Sequence, residues 1–222
     1  FTLRNTVCCL SLFLGMDITE LQNNSSLAIF KPYNRFLKRM LDVLVSFVFL
    51  VCVYPWVYIV VACCIKISMP GKVMFTQKRT GKDGKTFVCY KFRTMRPNKE
   101  ADTKQAGVDD PRITPLGLFL RNTSIDELPQ FWNVFKGDMS LVGPRPHMLA
   151  HTDYYGKLIP DYMLRHAVKP GITGWAQSHN LRGETRELEQ MEQRVRFDLW
   201  YIRNWSFWLD LRILADTLKV MF

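Results

Sequence analysis

Cysteine pairs with the spacing of a metal or redox site are missing from this sequence. Its six cysteines form no CxxC pair and no zinc-like pattern. Three of them, Cys52, Cys63 and Cys64, lie inside the most apolar stretch, where thiols serve as small hydrophobic groups. We therefore expect reduced thiols, which favours cytoplasmic chemistry over a secreted, disulfide-linked protein.

Internal repeats and low-complexity runs are also absent from the 222 residues, and acidic residues are in the minority. Hydrophobic residues make up 48% of the chain and charged residues 23%, which excludes a disordered protein. The net charge of +10 predicts an anionic partner, which is nucleic acid, anionic lipid or a phosphorylated small molecule. The sequence has no nucleic-acid-binding motif and its basic residues form no single stripe, so we expect no nucleic acid partner.

One stretch, residues 41–65, is apolar enough to predict contact with a membrane. Asp42 is its only charged residue. As one helix it would measure ~37 Å, compared with roughly 30 Å for the hydrocarbon core of a bilayer. Pro55 lies near its middle and is expected to break the helix, because proline lacks an N–H and its ring clashes with the preceding turn. The resulting arms, 41–54 and 56–65, would be roughly 20 and 15 Å long, too short for either to cross.

Positive charge flanks this stretch on both sides, although basic flanks normally mark only the cytoplasmic end of a membrane segment. A segment that enters and leaves by the same face would satisfy both flanks, so we predict a re-entrant helix hairpin. A kinked helix that crosses the bilayer and a buried helix of a soluble core are the alternatives. The flanking basic residues are Lys31, Arg35, Lys38 and Arg39 before the stretch, and Lys66, Lys72, Lys78, Arg79, Lys82 and Lys85 after it.

The chain after this stretch combines helices with a small amount of strand. Two runs rich in strand-forming residues, 73–80 and 85–92, flank an Asp-Gly turn and predict a β-hairpin. Residues 96–112 are polar and have no periodic apolar pattern, which indicates a long loop. Helical pieces are predicted over 113–136, with Ser124 as an N-cap.

Two further helical regions are predicted toward the C-terminus. The first is 147–168, interrupted at Pro160, and the second is the amphipathic, charged segment 186–204. Between them, the Pro-Gly pair in 169–174 predicts a turn. The aromatic residues at the C-terminal end suit either a membrane–water interface or an ordinary core. They are Trp200, Tyr201, Trp205, Phe207 and Trp208.

Residues 1–30 differ in character from the rest of the chain. An apolar patch is followed by a linker rich in Asn and Ser, and the first residue is Phe rather than Met. We expect a longer parent protein, in which residues 1–30 end a preceding region and residues 31–222 form one catalytic domain. The predicted fold class is α+β: a monotopic membrane protein with a proline-broken re-entrant helix, a short β-hairpin and several amphipathic interfacial helices.

Two adjacent carboxylates, Asp126 and Glu127, are the candidate catalytic residues of this basic chain. Isolated acid pairs are usually solvated or lie at helix N-termini, but this one has cations on both sides. A carboxylate among several cations has a lowered pKa and stays ionised, so we expect the same here. The surrounding cations, whose side chains suit phosphate, are Lys91, Arg93, Arg121 and Arg145.

The combination of acids and cations predicts phosphoryl chemistry at a membrane surface. Mg²⁺ is commonly shared between carboxylates and the phosphates of a substrate, which predicts a Mg²⁺ site at Asp126 and Glu127. One carboxylate would attack phosphorus and form an acyl phosphate. A salt-bridge network without catalytic function is the alternative for each residue singly. His147 and His151 are four residues apart, but such pairs usually just share a helix face, and we assign them no metal.

At these residues the sequence resembles the bacterial sugar transferase family, the monotopic polyprenyl-phosphate phosphoglycosyl transferases. The resemblance extends from about Asn34 to Phe222. It rests on several stretches together, since none of them is specific alone. These stretches are NRFLKRMLD, MPGKVMFTQKRTGKDGKTF, YKFRTM, DPRITPLGLFLRNTSIDELPQFWNVFKGDMSLVGPRP, VKPGITGWAQ and YIRNWSFWLDLRIL.

The resemblance implies a reaction, its partners and its location. A UDP-sugar would give up its sugar phosphate to a polyprenyl phosphate such as undecaprenyl phosphate, and UMP would leave. The implied partners are the UDP-sugar, the polyprenyl phosphate and an anionic lipid bilayer, and a homodimer is left open. The implied location is the bacterial inner membrane, with the active site on the cytoplasmic face. The product would start a capsule, an O-antigen or an exopolysaccharide.

The resemblance also implies roles for individual residues. Asp126 matches the nucleophile of the family, which would carry a covalent phosphosugar, and Glu127 matches the residue that assists with Mg²⁺. Arg121 and Arg145 match positions that contact the phosphates or the nucleotide. Lys91 is a weaker match.

Two features of the resemblance leave alternatives open. The stretch 181–195 is most similar to members that transfer glucose 1-phosphate, which favours a hexose, with galactose still open. Tyr54-Pro55 stands where the family often has Ser-Pro, which leaves the geometry of the helix break open. The rival functions are a membrane-bound, metal-dependent diphosphate hydrolase or phosphatase, and a non-enzymatic basic module that binds lipid or nucleic acid.

Overall fold

The computed structural model describes residues 17–24, 26–97, 107, 110–181, 183 and 187–221. In this part of the chain, α-helices surround two small two-stranded sheets, which confirms the predicted α+β class. The helices are α1 (Ile18–Asn23), α2 (Pro32–Cys52), α3 (Tyr54–Ser68), α4 (Pro115–Asn122), α5 (Gln130–Lys136), α6 (Leu149–Leu158), α7 (Trp175–Ser178), α8 (Leu188–Asn204) and α9 (Phe207–Met221). The strands are β1 (Met74–Thr80), β2 (Thr86–Phe92), β3 (Ser140–Val142) and β4 (Gly171–Thr173).

The apolar stretch forms two helices, α2 and α3, which meet at Val53 with a bend of 56°. Among the described residues, no single helix is long and apolar enough to cross a bilayer, whereas α2 and α3 together meet that criterion. The break predicted at Pro55 lies slightly earlier, because proline fits the first turn of α3 and disrupts the turn that precedes it. The predicted arms 41–54 and 56–65 are therefore wrong in their bounds.

Polar contacts bind the N-terminal half of α2 to the rest of the domain. Asp42, the single charge of the apolar stretch, is buried and accepts a hydrogen bond from Ser140 Oγ at 3.0 Å. Lys38 Nζ donates to Asp210 Oδ2 at 2.6 Å. Arg39 donates to two backbone carbonyls at the C-terminal end of α5. Two of the cations that flank the apolar stretch are thus used inside the protein and hold α2 in place.

The predicted β-hairpin is confirmed. Strands β1 and β2 pair antiparallel, from Met74 opposite Phe92 to Thr80 opposite Thr86. Phe92 is buried in a small apolar cluster with residues of α3. Because successive side chains of a strand point to opposite faces, Lys91 faces away from this cluster. The hairpin therefore separates an apolar face that contacts α3 from a charged face.

A second sheet, formed by the parallel pair β3 and β4, was not predicted from the sequence. Strand β4 lies inside 169–174, so the prediction of a turn there is wrong in part. The reason is that a strand of three residues is too short to show an alternating pattern. The pairing of these strands matters for the site, because it fixes β3, which directly precedes a loop described below.

The predicted helical regions are confirmed in outline. The region 113–136 contains α4, a short 3₁₀ helix and α5. The region 147–168 contains α6 and a 3₁₀ helix after Pro160, and 186–204 contains α8. Much of the loop predicted over 96–112 lies outside the described residues.

The main core lies between the C-terminal helices, β3 and the segment before α2. Leu21 and Ile29 are buried in it, so residues just before the predicted domain boundary pack on the domain. For two of the C-terminal aromatic residues the core alternative is confirmed. Tyr201 and Trp205 belong to the core, whereas Trp208 is 77% exposed.

Candidate active site

The acid pair lies in the 3₁₀ helix Ile125–Glu127, between α4 and α5. Ile125 packs against the apolar cluster around Phe92, which fixes one side of this turn. Ser124 precedes it with a φ of 55°, a left-handed conformation that residues other than glycine rarely adopt. Ser124 occupies the predicted N-cap position, but its side chain makes no capping hydrogen bond. Strained backbone of this kind is concentrated at functional sites, and here it directs the chain into the two carboxylates.

Two cations hold the carboxylate of Glu127. Lys91 Nζ donates to Oε1 at 2.6 Å. The guanidinium of Arg145 donates to both carboxylate oxygens, with Nη1 at 3.1 Å from Oε2. The planar fork of an arginine suits this two-pronged contact. The side chain of Arg145 keeps 33% of its surface exposed, so it can also contact a ligand.

The two neighbouring carboxylates have opposite pKa shifts. Burial raises the pKa of Asp126 to about 6, although the charges of Lys91 and Arg121 oppose it. Burial also disfavours the ionised form of Glu127, but the charges of Arg145 and Lys91 outweigh it and hold the pKa well below its ordinary value. The predicted lowering is therefore confirmed for Glu127 and wrong for Asp126, whose carboxylate has no ion pair among the described residues to offset its burial.

Asp126 is the unengaged member of the pair. It is 7% exposed, and within the described part of the chain its carboxylate makes no hydrogen bond or ion pair. A carboxylate whose pKa is about 6 is still about 90% ionised at pH 7. Its lone pairs are available for attack or for a cation, whereas those of Glu127 are bound by Arg145 and Lys91.

Arg121 faces the same carboxylate from the end of α4. Its Nε donates to Thr94 Oγ1 at 2.9 Å, and its charge acts on Asp126. The structure therefore brings three of the four predicted cations to the acid pair: Lys91, Arg121 and Arg145.

Arg93 has different contacts. It is buried, and its guanidinium donates to the backbone carbonyls of Met69 and Pro70, just after α3. These contacts tie β2 to α3, and among the described residues Arg93 makes no hydrogen bond or ion pair with the acid pair. Its predicted role as a phosphate ligand stays a prediction.

Arg79 belongs to this site although sequence reasoning placed it among the flanking charges. Its Nη1 donates to Pro146 O at 2.6 Å, and its charge interacts with those of Glu127 and Asp126. The available signal was strand alternation. Arg79 lies two residues from the buried Gln77, so both side chains point to the charged face of the hairpin, on the side of Lys91.

The donor set of the pair can be compared with the needs of Mg²⁺. This ion takes oxygen ligands and is often held by one or two carboxylates together with substrate phosphates. The oxygens of Asp126 are free among the described residues, whereas the oxygens of Glu127 are already bound by cations. Across the described residues there is no group of three or more His, Cys, Asp or Glu side chains that would hold a metal without a substrate. The residues therefore fit a Mg²⁺ ion that arrives with phosphates, with Asp126 as the more available ligand.

His147, the first of the two histidines, has its own partners inside the protein. His147 is buried and its Nδ1 lies 2.6 Å from Tyr162 Oη and 2.6 Å from an Arg165 nitrogen. Burial and the charge of Arg165 hold the pKa of His147 well below its ordinary value. The imidazole is therefore a neutral part of the protein interior, with its Nδ1 in contact with Tyr162 and Arg165.

Comparison with known proteins gives one family. The family model described as bacterial sugar transferase matches residues 33–222. The match includes both carboxylates and all the cations described above.

Curated relatives agree with this match. The chain is 53% identical over 185 residues to a UDP-glucose:undecaprenyl-phosphate glucose-1-phosphate transferase of Escherichia coli (strain K12), which covers 83% of this chain and 40% of the relative. A protein with the same description from Caulobacter vibrioides is 46% identical, over 81% of this chain and 67% of the relative. A UDP-N-acetylgalactosamine-undecaprenyl-phosphate N-acetylgalactosaminephosphotransferase of Aeromonas hydrophila is 41% identical, over 86% of this chain and 44% of the relative. The chain thus spans less than half the length of two of these three relatives.

Proposed function

Because the chain belongs to the bacterial sugar transferase family, we propose that it transfers a hexose 1-phosphate from a UDP-sugar to a polyprenyl phosphate, with release of UMP. Relatives from two organisms are described as glucose-1-phosphate transferases, which favours glucose, with galactose open. The observation that carries the proposal is the contrast within the acid pair. Asp126 is buried, ionisable and without a hydrogen bond to its carboxylate among the described residues, and Glu127 beside it holds two cations in place.

In the proposed reaction, an oxygen of Asp126 attacks the phosphorus atom that carries the sugar. The bond between that phosphorus and the oxygen bridging to the uridine phosphate breaks, and UMP leaves with the bond's electron pair. The protein then holds the sugar phosphate as an acyl phosphate, a mixed anhydride with the carboxylate of Asp126. An oxygen of polyprenyl phosphate attacks the same phosphorus, the carboxylate is released, and a polyprenyl diphosphate sugar remains.

Glu127 serves in this reaction as a positioning residue for cations. It keeps Arg145 and Lys91 beside the attacking carboxylate, where they would meet the negative charge of the diphosphate. Arg121, at the end of α4, also places its charge near Asp126 and would help to bind the diphosphate. Donors fixed in advance of the reaction stabilise developing charge without a cost of reorganisation.

We also propose Mg²⁺ as the cofactor, held by Asp126 and the donor phosphates, with Glu127 nearby. When bound, the ion would neutralise charge on the diphosphate and on the departing UMP. A direct test is donor turnover in the presence of an excess of chelator, followed by readdition of Mg²⁺.

The bent pair α2–α3 is proposed to enter and leave the cytoplasmic leaflet of the bacterial inner membrane by the same face. Several large apolar side chains along the pair are exposed, including Phe36, Leu44, Trp56 and Ile59. The start of α2 is tied to α9 by Lys38 and Asp210, and the end of α3 leads directly into β1. Both ends of the pair are thus attached to the body that carries the acid pair, which supports a hairpin over a crossing helix.

The proposal is tested by UMP release with a panel of UDP-sugars, polyprenyl phosphate and Mg²⁺. UMP formation that depends on the lipid, together with a lipid-linked diphosphate sugar identified by mass spectrometry, is the expected result. Release of UMP and free sugar phosphate in the absence of lipid would instead identify a diphosphate hydrolase. The absence of turnover with every sugar, alongside lipid binding, would identify a non-enzymatic lipid-binding module.

A further inference from the structure

The loop that carries Arg145 is held through its carbonyl groups. Arg145 lies between Pro144 and Pro146, which have no N–H, so this backbone offers mainly acceptors to its surroundings. Four consecutive carbonyls, of residues 144–147, each accept a hydrogen bond from another part of the chain. The donors are Gly171 N to Pro144 O at 2.9 Å, Arg165 Nη2 to Arg145 O at 2.9 Å, Arg79 Nη1 to Pro146 O at 2.6 Å, and Thr80 N to His147 O at 3.1 Å.

Arg165 is the best anchored of these donors. It is 2% exposed, and its Nε and Nη2 lie 3.0 and 2.6 Å from Oδ2 of Asp198, which is also buried. Its Nη1 lies 2.6 Å from His147 Nδ1. One guanidinium therefore joins α8, through Asp198, to the backbone of Arg145 itself and to the ring of a residue two positions later.

The space under this loop is small. A cavity of ≈ 10 Å³ is lined in part by Arg145, Arg165 and His166. Such a volume is about that of one water molecule, so the loop has little room to settle closer to the domain. Of the four donors, Arg165 is the one that contacts the backbone of Arg145 itself, so it contributes directly to the position of that residue.

We infer that Arg165, anchored by Asp198, is a positioning residue that sets where the Arg145 guanidinium meets Glu127 and the donor diphosphate. The inference rests on the proposed function for the identity of the ligand. Arg165 does not itself touch Glu127 among the described contacts, and it acts through the carbonyl of Arg145. A buried ion pair that only stabilises the fold is the competing explanation, and the experiment below separates the two.

The key variant is Arg165→Lys. It keeps a positive charge beside Asp198, but a single ammonium group has no planar fork and cannot hold the carboxylate, the Arg145 carbonyl and the His147 ring together. The matched control is Arg196→Lys on the same helix as Asp198, because the Arg196 side chain is 43% exposed and its ion pair with Glu192 lies on the surface. Both variants are made in the full protein, alone and combined with Arg145→Ala.

The first measurement is the KM for UDP-glucose and for polyprenyl phosphate, determined separately. Arg165→Lys is expected to raise the donor KM by about ten-fold or more, as for displacement of one charge-assisted contact, with the lipid KM nearly unchanged. In the Arg145→Ala background, Arg165→Lys is expected to raise the donor KM almost no further, because the Arg145 guanidinium that Arg165 positions is gone. The inference would be overturned if Arg165→Lys raised the donor KM by the same factor with and without Arg145→Ala. It would also be overturned if Arg165→Lys raised the KM for the donor and for the lipid equally.

The second measurement does not depend on the reaction. Hydrogen–deuterium exchange of the segment 141–149 is expected to accelerate in Arg165→Lys and to stay unchanged in Arg196→Lys, at a temperature where both variants are folded. If the unaltered protein turns over no UDP-sugar, the proposed function fails while this measurement still decides the anchoring of the loop. Unchanged exchange in Arg165→Lys would show that the loop does not need the arginine and would reject the inference.

Discussion

Replacing the two neighbouring carboxylates one at a time is expected to change stability in opposite directions. Asp126→Asn removes a buried charge that has no partner in the described structure. Glu127→Gln removes a charge that holds Lys91 and Arg145. The first variant is therefore expected to be more stable than the unaltered protein at neutral pH, and the second less stable. Both substitutions preserve side-chain shape, so each serves as the control for the other.

The magnitude follows from the pKa values. Raising the pKa of Asp126 from 3.8 to about 6 destabilises the folded protein at pH 7 by about 3 kcal/mol. The folded state binds this proton more tightly than the unfolded state. The stability contribution of Asp126 is therefore complete below pH 3.8 and is lost as the pH rises through about 6. For Glu127 the folded pKa is lowered, so its contribution is present above its unfolded value of about 4.5 and is lost as the pH falls.

The assay is thermal unfolding of the purified protein in the same detergent or nanodisc from pH 4 to pH 8. For a domain of this size, about 2–4 °C of Tm corresponds to 1 kcal/mol. Asp126→Asn is expected to raise the Tm by several degrees above pH 6, and the gain should shrink toward zero near pH 4. Glu127→Gln should lower the Tm at neutral pH. A Tm for Asp126→Asn that is unchanged or lower at pH 7, or a gain that does not vary with pH, would refute the reasoning.

Further expectations concern the cations, the metal, the pH profile and the helix break. Arg145→Ala and Arg121→Ala should each weaken use of the UDP-sugar by the equivalent of roughly 1.5–3 kcal/mol in kcat/KM, with membrane binding retained; equal losses in both would indicate misfolding. Turnover that persists unchanged in excess chelator would exclude Mg²⁺. The kcat/KM for the donor should rise to a plateau above about pH 6, as the buried nucleophile ionises; a flat profile from pH 5 to 8 would contradict this assignment. In intact cells, cysteines placed at the exposed Arg35 and Lys72 should both be protected from a membrane-impermeant thiol reagent. The substitution Pro55→Leu should make the cysteine at position 35 accessible to that reagent. Labelling of position 35 without Pro55→Leu would mean that the segment crosses the membrane.

The parts of the fold that were predicted correctly are those with a strong local pattern. The hairpin β1–β2 was recognised because strand-forming residues flank an Asp-Gly turn, and both properties are local. Pro55 indicated a break in the apolar helix, but not its position, because the ring disturbs the turn before it. Strands β3 and β4 were missed because each has only three residues, and their pairing depends on the tertiary fold.

The sequence predicted most of the residues that meet in the candidate site, but it did not predict the pKa values of both carboxylates. The acid pair, Lys91 and Arg145 meet as expected. The raised pKa of Asp126 was not expected, because its cause is burial, which two adjacent letters in a sequence do not show. The anchoring of the loop by Arg165 and Asp198 was also invisible, since these residues are 33 positions apart and meet only after α8 has packed.

The central claim is that Asp126 carries the sugar phosphate. The most direct measurement is intact-protein and peptide mass spectrometry after incubation with UDP-glucose and Mg²⁺, without lipid acceptor and with rapid acid quenching. The account predicts an added hexose phosphate on the peptide that contains Asp126, its absence in Asp126→Asn, and its loss when polyprenyl phosphate is added. Turnover close to normal in Asp126→Asn, or the adduct on another residue, would contradict it.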